Sequence, residues 1–510
     1  MLVRHVFAHF KRQERNDTLT KINVLDGRSA RPDEREVASA ATPRRESLLF
    51  RTNRRAFLKA AGAASVLGIG GCAPFSIAKS SIFANGKINM AFIGIGNRGN
   101  ADFTMFHYFK DLVNVVALCD TDMEGPATLP VLEACPDAPR YTDFRKMFDE
   151  LGNAIDAVCI ATPDFSHFPA TMLSMSLGKH VFVEKPLGNR FSEIELMAKA
   201  AETYGVVTQM GNQAHSDGNY YQCRSLVESG FMRDVTRIEA FMCSARRWHK
   251  YNGELKQMPP AEEKPENLNW DVWLSQRTER GYNHAYMGGE WRCFYEYGTG
   301  PIGDWGPHIF STTWEHLKLG LPTKIEVLKD EKRTDVVFPL ASTVAFTFPA
   351  RGPGLPECRL TWHDGIGNYP ELPAKVTDKR WKRKKHGAEV YGAEGRVFAR
   401  GSHADPFSLV AGGDPKDPEI KRIFKDFPKP KYNHYESFLR AIRGEDEVRS
   451  PFRLAGPLSQ ICALGALAVE LGDSVLDFDP VAKRFTANGR ANAMLSGAAP
   501  RLGWEEYYRL

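Results

Sequence analysis

The stretch Ile88-Asn-Met-Ala-Phe-Ile-Gly94-Ile-Gly96-Asn97-Arg98-Gly99 constrains this chain's fold more than any other. An apolar run suited to a buried strand ends in G-x-G-x-x-G, and a helix-compatible segment, 100–110, follows. In a strand–turn–helix unit Gly94 makes the tight turn and Gly96 lets backbone approach a pyrophosphate. Gly99 lets helix and strand pack closely. The helix N-terminus, with Asn97 and Arg98, turns unpaired N–H groups and a positive dipole end toward phosphates. A second apolar run, 113–119, ends in Asp120, twenty-one residues after Gly99. An acid at that place can accept hydrogen bonds from both ribose hydroxyls of NAD. Its charge repels a 2′-phosphate, whereas Arg98 in the turn and Thr121 after the acid keep NADP open.

The alternation continues downstream. A polar stretch (125–139) precedes a helix over 142–151, a strand over 156–161 closed by Thr162-Pro163-Asp164, and a helix over 166–177. The strand 180–183 runs into Glu184-Lys185-Pro186, and a helix (192–204) and strand (206–210) complete the pattern. Strands alternating with helices of this length predict a doubly wound parallel sheet with right-handed crossovers, a Rossmann domain over 87–212. From about 236 strand-like runs (236–243, 323–327, 342–348, 357–362) lack a helix between each pair. They predict an α+β domain with a mostly antiparallel, open sheet over 213–510. The basic run Lys379-Arg-Trp-Lys-Arg-Lys-Lys385 reads as a solvated surface turn.

Residues 1–86 read as a leader. They hold 15 basic and 7 acidic side chains, which leaves 52 basic against 55 acidic in the rest, so the body gives no electrostatic reason to bind nucleic acid. Thr52-Asn53-Arg54-Arg55-Ala56-Phe57-Leu58-Lys59 resembles a twin-arginine export signal, with a weakly apolar Ala/Gly-rich segment behind it. Ile69-Gly70-Gly71-Cys72 resembles a lipobox, which would lipidate Cys72, while Ser76-Ile77-Ala78 resembles a site of ordinary cleavage. The expectation is a periplasmic protein exported folded by the twin-arginine machinery, lipid-anchored if the first site is used. Residues 1–47 are polar and aperiodic, as in disorder or an upstream misassigned start. The nine cysteines include no C-x-x-C pair, which argues against a disulfide framework or a zinc site.

Two places carry candidate chemistry. Lys185 falls at the carboxyl end of a parallel strand, the edge where such sheets bind ligands, and Pro186 pins the backbone after it through a trans or cis bond. A lysine there either exchanges a proton with a substrate hydroxyl or is an ordinary strand-end lysine. In Gly298-Thr-Gly-Pro-Ile-Gly303-Asp304-Trp-Gly-Pro307-His308, helical i, i+4 spacing puts Asp304 and His308 on one face. A carboxylate beside an imidazole fixes its tautomer and raises its basicity; the alternative is a helix cap and a core histidine. No third ligand at a supporting spacing points to a metal.

Together these residues resemble the Gfo/Idh/MocA family of oxidoreductases over about 87–475. The features are the glycine fingerprint, Glu184-Lys185-Pro186, Gly211-Asn212-Gln213, the Asp304-x-x-x-His308 segment, and Gly456-Pro457-Leu-Ser-Gln460 opening a helix to about 471. Arg501-Leu-Gly-Trp504 is similar to the end of secreted bacterial members. The resemblance implies an NAD(P)-dependent enzyme moving a hydride between nicotinamide and a sugar, sugar acid or cyclitol alcohol. His308 would be the general base, Lys185 would polarise the reacting oxygen, and Asp304 would hold His308; Pro307 departs from the family and would tilt the ring. It further implies cofactor contacts from Thr162, Pro163, His167, Glu184, Lys185, Pro186 and Gln213. The pocket would be lined from Arg246-Arg247-Trp248-His249 and from Trp291-Arg292-Cys293-Phe294-Tyr295, with Arg246, Trp248, Trp291 and Arg292 touching substrate. The open sheet face would make a dimer or tetramer. Export predicts a tightly held cofactor, since nucleotide is scarce outside the cytoplasm. Rival readings are a glycoside hydrolase using a resident NAD for transient oxidation and elimination, and a non-catalytic sugar-binding protein.

Overall fold

The computed structural model describes residues 86–510 apart from 247–249, 252–253 and 473, so Arg54-Arg55, Cys72 and Trp248 lie outside the described residues. The first sheet is built from β1 (Ile88–Ile93), β2 (Val113–Cys119), β3 (Arg140–Tyr141), β4 (Ala157–Ile160), β5 (His180–Val183) and β6 (Thr208–Met210). Their order is β3-β2-β1-β4-β5-β6 and every pairing is parallel. That is the doubly wound order, and the strand direction of winding reverses between β1 and β4, where such sheets bind ligands. Burial on both faces explains the unbroken apolar runs: β4 is buried at every residue. The crossovers are α1 (Arg98–His107), α2 (Leu129–Ala134), α3 (Phe144–Leu151), α4 (His167–Ser176) and α5 (Phe191–Tyr204). Asp143 caps α3 by accepting from the Arg145 amide, and Gly205 ends α5 at φ 62°.

Two local readings change. The polar stretch 125–139 contains α2, because Pro130 sits in its first turn, where a missing N–H costs nothing. α1 begins at Arg98, ahead of the expected 100, which places Gly99 in its first turn.

The second region contains α6 (Gly218–Glu228), β7 (Arg237–Met242), α7 (Trp270–Leu274), α8 (Gly300–Ile309), α9 (Ser311–His316), β8 (Lys324–Glu331), β9 (Ala341–Phe348) and β10 (Cys358–Asp364). It continues with β11 (His386–Tyr391), β12 (Val397–Arg400), β13 (Ser408–Ala411), α10 (Pro418–Lys425), α11 (His434–Ile442), α12 (Phe452–Leu471), β14 (Val475–Asp479), β15 (Arg484–Phe485) and α13 (Gly489–Ser496). Its nine strands run β13-β12-β11-β7-β10-β9-β8-β14-β15, and only β7 and β10 pair in parallel. The inner face presents Ile238, Leu360, Trp362 and Phe346 to α8 and α12. Gly465 permits this approach: a Cβ there would lie 2.9 Å from both Ile302 and Phe346. The outer face carries ion pairs, Glu239 with His363 and Arg359 with Glu326. The run 379–385 is not simply solvated. Arg383 folds back to grip the buried Glu389 with two hydrogen bonds of 2.6 and 2.7 Å. Burial of that carboxylate demands a cation, and the run supplies it.

Residues 213–510 do not stay on their own side. α11 inserts Tyr435, Phe438 and Leu439 into the cluster formed by Phe92, Phe106 and Phe182 of the first sheet layer. α12 starts at Phe452, four residues before the expected Gly456, and packs along α5 and β6. It is long and apolar enough to cross a membrane, yet 83% of that stretch is buried within the protein. The tail also packs: Trp504 is 1% exposed, with Arg145 stacked on its ring at 4.5 Å. The described cysteines are free, and Cys119 and Cys159 are buried within β2 and β4.

Candidate active site

The glycine turn follows from β1 ending against β4. Gly94 has φ 80°, and a Cβ on it would lie 2.8 Å from the backbone of Ala161. A Cβ on Gly99 would come 1.9 Å from the Gly94 oxygen, so only glycine lets α1 start this close to the turn. Gly96 faces a cavity of about 530 Å³ that runs from the turn to Asp304. Asn97 leaves the start of α1 without a side-chain cap; the Gly99 amide donates to the Gly96 carbonyl at 2.8 Å, and the Arg98 and Asn100 amides remain for a ligand. Asp120 lines the same cavity and shapes its edge: Oδ2 accepts from the amides of Ile95 (2.8 Å) and Gly96 (3.3 Å), and Oδ1 from Asp122 (3.1 Å). Burial raises its pKa while these three amides oppose the shift.

Arg98 also lines the cavity at the turn, and its guanidinium is engaged by neighbouring side chains. Its Nε donates to Glu184 at 3.1 Å, and Nη2 donates to Asp102 at 2.5 Å and to Tyr435 Oη at 2.6 Å. Gln213 joins through bonds of 3.0 Å to Glu184 and 3.1 Å to Tyr435, and Tyr435 donates to Asp102 at 2.7 Å. The expectation that Arg98 keeps NADP open meets a guanidinium that two carboxylates already engage. Burial alone would raise the Glu184 carboxyl, but Arg98, Lys185 and Gln213 hold it below its usual range. Asp102 stays raised, to about 7, because burial outweighs Arg98.

At the ends of β4 and β5, Thr162, Pro163, His167 and Lys185 also line the cavity. His167 spans the two strand ends, with Nδ1 2.9 Å from the Pro186 carbonyl and Nε2 2.8 Å from that of Thr162. Burial lowers its pKa, and a neutral ring donates to only one of those carbonyls. The Lys185–Pro186 peptide is cis. The buried Thr162 Oγ1 has no hydrogen-bond partner among the described residues. That orphaned hydroxyl, the glycine cradle and the Asp120 edge fit a dinucleotide.

Beyond the strand ends the second region closes the cavity. Lys185 Nζ donates to the Asp304 carboxylate at 2.6 Å and to its carbonyl at 2.8 Å. Arg292 Nη1 donates to Asp164 at 3.0 Å, lies 3.7 Å from Asp304, and stacks on Trp291 at 4.1 Å. Asp164, fully buried, also accepts from the Thr299 hydroxyl at 2.7 Å. Burial lowers the Lys185 ammonium, and Asp304 opposes that shift. Asp304 thus closes on Lys185, where the sequence reading had it holding His308. The ammonium reaches it directly, while His308, one helical turn on, stacks on His403 at 4.1 Å and does not line the cavity. Burial, then His403 and Lys185, push His308 well below its ordinary pKa, with Asp304 opposing. Arg246 lies over Trp305 at 5.2 Å. Sequence reasoning missed Asp164 as a site residue although Thr162-Pro163 directly precedes it. It also missed His386 and His403, which no local pattern marks and which only the sheet brings to α8.

A parallel sheet with a glycine turn at its switch point, joined by a buried lysine to an open-sheet partner region, defines a two-part NAD-binding Rossmann protein. The chain belongs to the Gfo/Idh/MocA oxidoreductase family: residues 88–212 match its NAD-binding Rossmann fold and residues 218–348 its C-terminal α/β domain. A glycosyl hydrolase family 109 protein of Shewanella pealeana is 27% identical over 218 residues, 39% of this chain and 48% of that protein. The scyllo-inositol 2-dehydrogenase (NADP+) of Bacillus subtilis is 28% identical over 123 residues, 23% of this chain and 34% of that protein. The chain thus spans about half or less of the curated relatives it matches. Among solved structures, the WlbA dehydrogenase of Bordetella pertussis, in complex with NADH and UDP-GlcNAcA, shares the fold with a TM-score of 0.52 at 15% identity. That match covers 77% of this chain and 99% of the other.

Proposed function

We propose that this protein is an NAD-dependent oxidoreductase that exchanges a hydride with an alcohol carbon of a sugar, sugar acid or cyclitol. The observation that carries this reading is the buried Lys185–Asp304 pair at the end of the cavity remote from the glycine turn. Bound NAD supplies the hydride acceptor or donor. The glycine turn and the α1 amides hold its pyrophosphate, and Asp120 its adenosine ribose. Two acids, Asp120 and Asp122, and no lysine or arginine line the cavity between 119 and 128, which favours NAD over NADP. Lys185 donates a hydrogen bond to the reacting oxygen and exchanges its proton, with Asp304 fixing the ammonium. His308, kept neutral by its surroundings and standing behind the lining residues Lys185 and Asp304, takes the second proton-handling role at one remove from the substrate. Arg292 and Trp291 give a planar donor and a ring face for a sugar.

On this reading the protein is loaded with NAD before export, so denaturing protein purified from the periplasm should release about one nucleotide per chain. A native preparation with an empty site would refute tight holding. Mixing the loaded protein with a panel of sugars and cyclitols should change nicotinamide absorbance for at least one of them.

A second reading is an NAD-dependent glycosidase, favoured by the family 109 name of the relative from Shewanella pealeana. It predicts aglycone release from nitrophenyl glycosides with no net change of nucleotide. Net reduction by a free sugar with no aglycone release separates the two in favour of the first.

A further inference from the structure

An imidazole that moves protons is ordinarily oriented by a hydrogen bond at the nitrogen facing away from substrate. Nδ1 of His308 is buried and has no hydrogen-bond partner among the described residues. Its ring meets another ring instead. His403, in the turn between β12 and β13, stacks on it with centroids 4.1 Å apart and 22° between planes. Trp305 closes the edge, 6.4 Å from His308 at 78° and 5.5 Å from His403 at 88°. The backbones are joined as well: the His403 amide donates to the His308 carbonyl at 3.2 Å. Arg400 Nη2 donates to the same carbonyl at 3.2 Å and to that of His403 at 2.5 Å. Arg400 is buried and makes no ion pair within 4 Å among the described residues; its other donors go to the Gly401 carbonyl and to Thr312 on α9, so it ties this turn to both α8 and α9. His403 has φ 51°, a left-handed conformation uncommon outside glycine that persists only where the surroundings impose it.

We propose that His403 is a positioning residue that fixes the imidazole of His308 by face-to-face stacking, in place of a hydrogen bond to its buried Nδ1. The proposal rests on the reading that His308 handles a proton in the reaction. The groups facing the pair from each packed element are Asp304 on α8, Lys185 at the end of β5, Arg400 on β12, Arg98 on α1, and His386 on β11 beside His403. Only Asp304 favours a charged His308, and its carboxylate is already engaged by Lys185. The stacked partner therefore sets both the direction of the ring and how readily it accepts a proton.

The test uses the NAD-loaded protein with His403→Phe and His403→Ala. Phenylalanine keeps the stack and offers a face that attracts a cation, so histidine NMR should show the His308 titration midpoint moving up. Turnover on the sugar found by absorbance screening should stay within about threefold of the parent. Alanine removes the stack and should cost roughly tenfold or more in kcat with KM little changed, because a loosened ring misplaces the acceptor. A His308 titration identical in all three proteins overturns the proposal, as does a His403→Ala protein with parental kcat. If the alanine variant fails to fold, a phenylalanine variant that folds, holds NAD and has lost turnover overturns it alone. Full turnover in His308→Asn, with the NMR shift intact in His403→Phe, would instead sink the proton-handling reading and leave the stacking in place.

Discussion

At the scale of single residues, the proposed function turns on the pair Lys185 and Asp304. Burial pulls the ammonium below its ordinary 10.5 and the carboxylate resists. If Lys185 works as a charged donor, kcat/KM falls as pH rises through this lowered value, so the alkaline limb lies below 10.5. Asp304→Asn removes the largest effect that raises the lysine and leaves only Glu184 to oppose burial, so the limb should move to lower pH; a limb that stays or moves up contradicts the assignment. The same shift has a sign for stability. Between the lowered value and 10.5 the unfolded chain carries a proton that the native one lacks, so this group makes stability rise with pH across that window. Lys185→Ala should reduce turnover about 10²- to 10⁴-fold, the usual worth of a positioned acid or base, with the NAD content unchanged. Loss of NAD along with activity would mean that the lysine serves binding alone.

At the scale of elements, the two outer glycines and the central one do different work. Gly99→Ala drives a methyl to 1.9 Å from the Gly94 oxygen, so α1 must back away from β1. A cost of about 1–3 kcal/mol, as for other overpacked sites, should appear as a lowered Tm of the NAD-free protein. Gly96→Ala meets only the Ala127 methyl, at 3.2 Å, and should leave that Tm nearly intact. Its methyl intrudes on the cavity, so the effect belongs in the Kd for NAD measured by calorimetry. Equal effects of both variants on Tm would refute this division. The turn was legible in the sequence because all of its determinants are local: strand, glycines, helix and acid lie within 33 residues, 88–120. Lys185 was legible for the same reason, at the end of a short buried strand. The network that engages Arg98 was not legible, because Glu184 and Tyr435 are 86 and 337 residues away. β12 and β13 escaped notice because each has only four residues, and β11 because its partners, β7 and β12, come from a sheet assembled over long separations. Asp304 and His308 were found together by spacing, but spacing carries no information about which of them the lysine would take.

At the scale of the whole molecule, the described chain is one compact unit whose end completes its beginning. The first sheet's outer layer is finished by α11: Tyr435 lies 5.1 Å from Phe106 and 5.4 Å from Phe182, and Phe438 lies 6.1 Å from Phe106. Tyr435 also supplies the hydroxyl on which Arg98, Asp102 and Gln213 converge beneath the nucleotide turn. Burying a large apolar side chain is worth about 1.5–3 kcal/mol, so Tyr435, Phe438 and Leu439 together contribute roughly 5–9 kcal/mol. A whole domain is commonly stable by only about 5–15 kcal/mol. Residues 87–212, though they contain every strand of the parallel sheet, should therefore lack a stable fold of their own. Expressed alone, that segment should show no cooperative thermal transition and no binding of NAD, while 86–510 should melt in a single transition that NAD raises. Tyr435→Phe, which keeps the ring and removes the hydroxyl, separates the two contributions. It should cost about 1–3 kcal/mol through the polar groups left buried without their partner, and weaken NAD by loosening the network that Arg98 keeps with Glu184 and Asp102 at the turn. A segment 87–212 that melts cooperatively and holds NAD would show instead that the C-terminal helices only cover a domain already formed.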